Sequence, residues 1–86
     1  MRMQVDKYEL LEQEAVKFLD TVSKNVERIR EDKGMTKLDV SRELGFLYAD
    51  HYSRMELRSN DKHFNLKHIY KLSKILDVDI SELVAE

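Results

Sequence analysis

The stretch Gly34-Met35-Thr36-Lys37-Leu38-Asp39-Val40-Ser41-Arg42-Glu43-Leu44-Gly45-Phe46-Leu47-Tyr48-Ala49-Asp50-His51-Tyr52-Ser53-Arg54-Met55-Glu56 decides the fold: it reads as two short helices joined by a turn. Thr36 offers a hydroxyl to cap the first helix, Asp39 three residues on completes a capping box, and Gly45 suits a left-handed ending. That helix is predicted over Lys37 to Leu44. Val40 and Leu44, four residues apart, share its inner face, and the small Ser41 between them lets a neighbouring helix approach closely. The second helix is predicted over Tyr48 to Leu57. Tyr52 and Met55 are spaced to face a core, which leaves Ala49, Asp50, Ser53 and Arg54 pointing outward. A short helix held over another and presenting small and polar side chains suits the major groove of B-form DNA.

Outside this stretch, composition narrows the class. Eighty-six residues without a composition break suggest one modest core and no room for a buried catalytic cleft of the usual size, so no enzyme is expected. With no cysteine, neither a disulfide framework nor a thiolate metal site is available. Proline is absent and the two glycines are Gly34 and Gly45, so helix formers dominate and the expected fold class is all-α. No apolar run approaches the length of a membrane span, and the N-terminus lacks the basic-then-apolar layout of a signal peptide. The expected location is cytoplasmic, with no membrane partner.

The formal net charge of −2 at first argues against a polyanionic partner, because phosphate contacts need lysine and arginine. Its distribution is more favourable. Residues 1–23 hold three basic and five acidic side chains, residues 24–74 twelve and eight, and residues 75–86 none and four. The positive charge therefore lies in the segment containing the helix pair, and acidic ends can sit away from a nucleic acid.

Toward the N-terminus, Tyr8, Leu11, Ala15, Leu19, Val22, Val26 and Ile29 recur at helical steps of three and four. This is one long helix or two. Asp20, Thr21 and Ser23 are cap-forming types and favour a fresh start near Val22. Leu10, Val16 and Phe18 broaden the stripe, so the segment is expected to bury a face against its own domain or against a second copy. Gly34 should end the helix that carries Val26 and Ile29. Toward the C-terminus, Arg58 to Phe64 reads as a polar loop. Asn65 then caps a helix with Leu66, Ile69, Leu72, Ser73 and Leu76 on one face, and Asp79 with Glu82 forms a capping-box pattern for a last helix holding Ile80 and Leu83.

These landmarks carry a family resemblance: Asn25-Val-Glu-Arg-Ile-Arg-Glu-Asp-Lys-Gly34, then Thr36 to Gly45, then Tyr52-Ser-Arg-Met-Glu56, then Leu66 to Leu76 followed by Val78-Asp-Ile-Ser-Glu-Leu83. From about Asn25 to Val84 the chain resembles the Cro/C1-type (Xre-like) helix-turn-helix domains of phage repressors and bacterial transcription regulators. The resemblance implies a compact five-helix, lambda-repressor-like domain over residues 23–86, with an additional helix over residues 1–22. It also implies a partly buried ion pair between Arg30 and Glu56. Either charge alone is costly at a helix interface, so pairing explains their joint presence.

The family's base-reading positions fall on Ala49, Asp50, Ser53 and Arg54, and its phosphate contact at the start of the second helix falls on Thr36 and Lys37. Arg54 is the strongest base-contact candidate, since a guanidinium can bridge guanine O6 and N7. Tyr48, Arg58, Lys62 and His63 are expected to contact the DNA backbone. The chain departs from the family pattern at several points. Lys37 stands where glutamine is common, Leu38 where the residue is usually polar, and Asp50 puts a negative charge near phosphates. One extra residue lies between Gly45 and Glu56, and the loop from Leu57 to Asn65 is longer.

The resemblance implies a homodimeric transcription regulator, a repressor on a palindromic operator in double-stranded DNA. Ile80, Leu83 and Val84, with Tyr8 and Leu11 of the N-terminal helix, are the candidate dimer surface. The rival is a protein-binding module on the same fold, such as an antitoxin or anti-regulator, favoured by the net acidity, Asp50 and Leu38. His51, His63 and His68 lack the spacing and carboxylates of a metal site, no phosphate-cradling glycine loop exists, and no cofactor is expected.

Overall fold

The computed structural model describes residues 6–86, and over them the chain is all-α: α1 Lys7–Asp32, α2 Lys37–Glu43, α3 Asp50–Leu57, α4 Leu66–Ile75 and α5 Ile80–Val84, with a single 3₁₀ turn at Ser59–Asp61. One core unites them. α1 supplies Val22, Val26 and Ile29, α2 supplies Val40, α3 Tyr52 and Met55, α4 Ile69 and Leu72, and α5 Leu83, with Leu44, Phe64 and Leu76 from the connecting segments.

The break expected near Val22 does not occur. α1 runs unbroken for 26 residues, so the extension and the domain's first helix are one element and five α-helices stand where six were expected. The cap-forming residues are occupied elsewhere. Ser23 is buried and its hydroxyl donates to the Met55 carbonyl at 2.9 Å, and Asp20 accepts from Arg58 Nε at 2.8 Å. Without glycine or proline between Lys7 and Asp32, these tertiary contacts outweigh the weak mid-helix preferences of serine, threonine and aspartate. What changes near residue 20 is burial: every residue from Asp6 to Ala15 is exposed, whereas Val22, Val26 and Ile29 are core. An α-helix of this length spans about 39 Å, which accounts for the elongated extents of 54 × 25 × 20 Å.

The other helix ends follow local chemistry. α1 stops before Gly34, whose φ of +71° is open to glycine without steric cost. Reciprocal capping boxes start α2 (Thr36 with Asp39) and α4 (Asn65 with His68), and at α5 the Asp79 N–H donates to the Glu82 carboxylate at 3.2 Å. The Thr36 N–H holds the Asp39 carboxyl below the usual carboxylate range, the backbone hydrogen bond being the main cause.

Three expectations about the core need correction. Leu83, expected on a dimer surface, is 0% exposed. Asn25 Nδ2 donates to the Leu83 carbonyl at 3.0 Å and to the Ala85 carbonyl at 2.7 Å, which pulls α5 onto α1 and turns Leu83 inward. Leu66, expected on the inner face of α4, is 88% exposed because the first residue of that helix lies beyond the edge of the globule, while Ile69, Leu72, Ser73 and Leu76 are buried as the periodicity predicts. The loop after α3 is polar in composition, yet Phe64 at its end is buried, with its ring 5.7 Å from that of Tyr52.

Candidate nucleic-acid interface

α2 and α3 meet through Val40, Leu44, Tyr52 and Met55, all buried. Ser41, fully buried between them, donates its hydroxyl to the Tyr48 carbonyl at 2.7 Å and so fixes the turn against α2. That contact also moves the start of α3. It begins at Asp50 rather than Tyr48, with Ala49 as N-cap, its carbonyl receiving the Ser53 N–H at 2.8 Å. Leu47 and Tyr48 stay in the turn with their side chains out in solvent.

The inward side of α3 is anchored by charge as well as by packing. Arg30 and Glu56 pair in two-pronged fashion, Nε to Oε2 at 2.9 Å and Nη2 to Oε1 at 3.1 Å, with both side chains almost wholly buried. Arg30 Nη1 also donates to the Met35 carbonyl at 2.8 Å, and the Tyr52 hydroxyl donates to Glu56. The hydrogen bond to Glu56 is the main reason the Arg30 pKa is raised, and burial, then the Glu56 carboxylate, pushes the Tyr52 hydroxyl well above its ordinary value. A buried carboxylate with this many donors ties α1, α3 and the α1–α2 turn together without an unmatched charge.

On the outward side, Asp50 and Arg54 are exposed, and Ala49 and Ser53 are half-buried. Lys37 Nζ reaches the Ser53 hydroxyl at 3.4 Å, so the first residue of α2 and the outward face of α3 share one surface. Among the described residues no ion pair engages Arg54. The backbone N–H of Thr36 is already taken by Asp39, which puts an exposed carboxylate beside Lys37.

Not every expected backbone contact gathers there. Arg58, expected to meet phosphate, is committed inside the molecule: Nε to Asp20 at 2.8 Å, Nη2 to Asp61 at 2.9 Å and Nη1 to the Lys62 carbonyl at 2.9 Å. It closes α3 in the left-handed conformation, with φ of 58°. Left-handed backbone costs a non-glycine residue roughly 1–2 kcal/mol, so this guanidinium is a clamp that holds a strained turn rather than a free cation. His63 lines an apolar groove with Phe18, Leu19 and Ile80, away from the Lys37 and Ser53 pair. Lys62 is exposed beside it. His51 and His68 stand edge-on to the Phe46 ring, at 4.8 and 6.1 Å between centroids.

No family model, no curated protein and no solved structure matches this chain.

Ser23, Asn25 and Asp20 align the helices that carry this surface, a role the sequence does not reveal, since Asp20 and Ser23 read only as helix caps. Their partners lie 32, 58 and 38 residues away, and only their placement as polar residues near an apolar stripe hinted at them.

Proposed function

We propose that the chain is a DNA-binding transcription regulator of the Cro/C1 helix-turn-helix type, a cytoplasmic, non-enzymatic repressor that presents α3 to the major groove of a palindromic operator as a homodimer. The observation that carries this reading is the Lys37 to Ser53 contact. It joins a cation at the start of α2 to the outward face of α3, where Arg54 is exposed and no ion pair engages it. In this reading Lys37 neutralises a phosphate and sets the register, Arg54 reads a guanine, and Ala49 and Ser53 are small enough for close approach to base edges. The Arg30 and Glu56 pair holds α3 at a constant angle to α1.

Selection of bound duplexes from a random pool tests it. A palindromic site should emerge. Arg54→Ala should relax the preference at one position in each half-site, a loss of about 1–3 kcal/mol against the wrong base. Lys37→Ala should weaken binding to every sequence alike and lower the salt slope by about 0.9 per protomer. A pool that returns no enriched sequence, with no salt-dependent binding to random duplex, overturns the reading.

A second reading, a protein-binding module on the same fold, is favoured by Leu47 and Tyr48 lying exposed beside the acidic Asp50. Exposed apolar side chains next to a carboxylate suit a protein partner better than a phosphate backbone. Such a module shows little duplex binding for salt to remove.

A further inference from the structure

The half of α1 that precedes the globule is apolar on one face and uncovered. Tyr8 and Leu11 are 72% and 65% exposed, and Phe18 is also open to solvent. Their stripe continues without a change of phase into Val22, Val26 and Ile29, which the chain's own core covers. About Ala15 the spacing is symmetrical, with Val22 buried at the groove where the core takes over. From Ala15 the next stripe positions lie four and then seven residues away in both directions: Leu11 and Tyr8 on one side, Leu19 and Val22 on the other.

A helix whose apolar positions mirror about one residue is complementary to a second copy of itself running the opposite way. We propose that two copies of this chain associate through antiparallel pairing of their α1 arms about a two-fold axis at Ala15. Leu11 then packs on the partner's Leu19, and Tyr8 lies level with the partner's Val22. The small side chain at the axis lets the helices approach to about 8 Å.

Two further observations fix the orientation and the seat. Each globule lies on the stripe side of its own α1, since Val22, Val26 and Ile29 are buried there. Parallel arms would drive both globules into one volume, whereas antiparallel arms put them at opposite ends. Where α1 enters the globule, an apolar groove of about 330 Å³ opens between Phe18, Leu19, Phe64, Leu66, Ile69 and Ile80. In the antiparallel register this groove receives the end of the partner's arm. Charge agrees with that seat: the arm from Asp6 to Glu14 carries Asp6, Glu9, Glu12 and Glu14 against Lys7 alone, and the groove's lip carries His63, with Lys62 and Lys67 close by in sequence.

The assembly is independent of whether the chain binds DNA, and the test uses none. The sequence contains no cysteine, so single cysteines report on geometry directly. Sedimentation of the native chain should show a dimer at micromolar concentration. Under mild oxidation Ala15→Cys should link to itself, and a mixture of Leu11→Cys with Leu19→Cys should give the mixed product in preference to either self-link. Leu11→Asp should weaken the dimer at least about 100-fold, since it removes one buried leucine from each side. It should leave the urea midpoint of the dilute monomer unchanged, because Leu11 is exposed outside its own globule. A chain that sediments as a monomer at hundreds of micromolar overturns the proposal, and so does Leu11→Cys linking to itself faster than to Leu19→Cys.

Discussion

The two halves of α1 carry one apolar spacing and meet different surroundings. From Val22 onward the stripe is sealed by α3 and α5, with Ser23 bonded to the Met55 carbonyl and Asn25 to the end of α5. Before Ala15 the same spacing faces solvent. Periodicity therefore specifies a helix and the phase of its apolar face, while what covers that face depends on residues dozens of positions away. The comparison also separates two kinds of charge. Glu56 is buried among donors, whereas Glu9, Glu12 and Glu14 on the arm are hydrated.

The largest contrast should come from removing one carboxylate in each half's surroundings. Glu56→Ala leaves the Arg30 guanidinium and the Tyr52 hydroxyl facing a cavity without their acceptor, and should cost about 3–5 kcal/mol. Glu12→Ala should change stability by less than about 0.5 kcal/mol. Urea midpoints of the two variants check this. Replacing the whole buried network with Arg30→Met, Tyr52→Phe and Glu56→Leu should recover much of the loss, because the expense lies in an unmatched buried charge and not in the absence of a pair.

A smaller effect tests packing alone. Ile29→Ala should destabilise by about 2–5 kcal/mol, toward the lower part of that range if the globule's edge relaxes around it, and Leu11→Ala should leave the stability of the monomer nearly unchanged. Measured at low concentration, equal losses from the two would mean that the arm folds back onto the globule. Next in size, Thr36→Ala breaks the capping box of α2 and should cost about 1 kcal/mol, read in the same urea titration. No counterpart on the arm should match it except Asp6, whose carboxylate accepts the Tyr8 N–H at the start of α1.

What was readable in the sequence sorts by range. The caps at Thr36, Asn65 and Asp79 appear where expected because donor and acceptor lie three residues apart and tertiary context has little to override. The inward positions Val40, Leu44, Tyr52 and Met55 are buried for the same reason, as each reflects a local helical period. The Arg30 and Glu56 pair rested on resemblance, since nothing local links residues 26 positions apart. Sequence does not separate a clamped Arg58 from a surface cation, because its partners Asp20 and Asp61 meet it only in the fold. Nor does it show that Leu83 is buried, because α5, with five residues, is too short for a period to reveal its buried side. At the candidate interface the outward side chains were legible. The start of α3 was not, because the Ser41 hydroxyl, bonded to the Tyr48 carbonyl seven residues on, sets it.

The smallest predicted effect concerns the start of α4, in the globule half. His68 is the third residue of α4, and its Nδ1 accepts the Asn65 N–H at 3.2 Å in the capping box, so the neutral ring is the bonding form. Burial, chiefly, with help from His51 and the neighbouring lysines, lowers its pKa below the ordinary histidine value. A proton there removes the acceptor and sets a positive charge at the start of a helix, where the dipole opposes it. The sign follows from the lowered folded value. The contribution is complete above about pH 6.5, where the unfolded histidine is also neutral, and is lost as pH falls from there through the folded pKa. His68→Gln keeps a neutral acceptor at that position and does not titrate. Between about pH 7.5 and about pH 5.5 the native chain's urea midpoint should therefore fall further than the variant's, His51 and His63 being common to both. Amide exchange should locate the added opening in α4 and the groove, and leave residues 7–15 unaffected. Equal pH dependence in the two chains would mean that the ring is already free of the capping box in solution, and the start of α4 would then be looser than the core it adjoins.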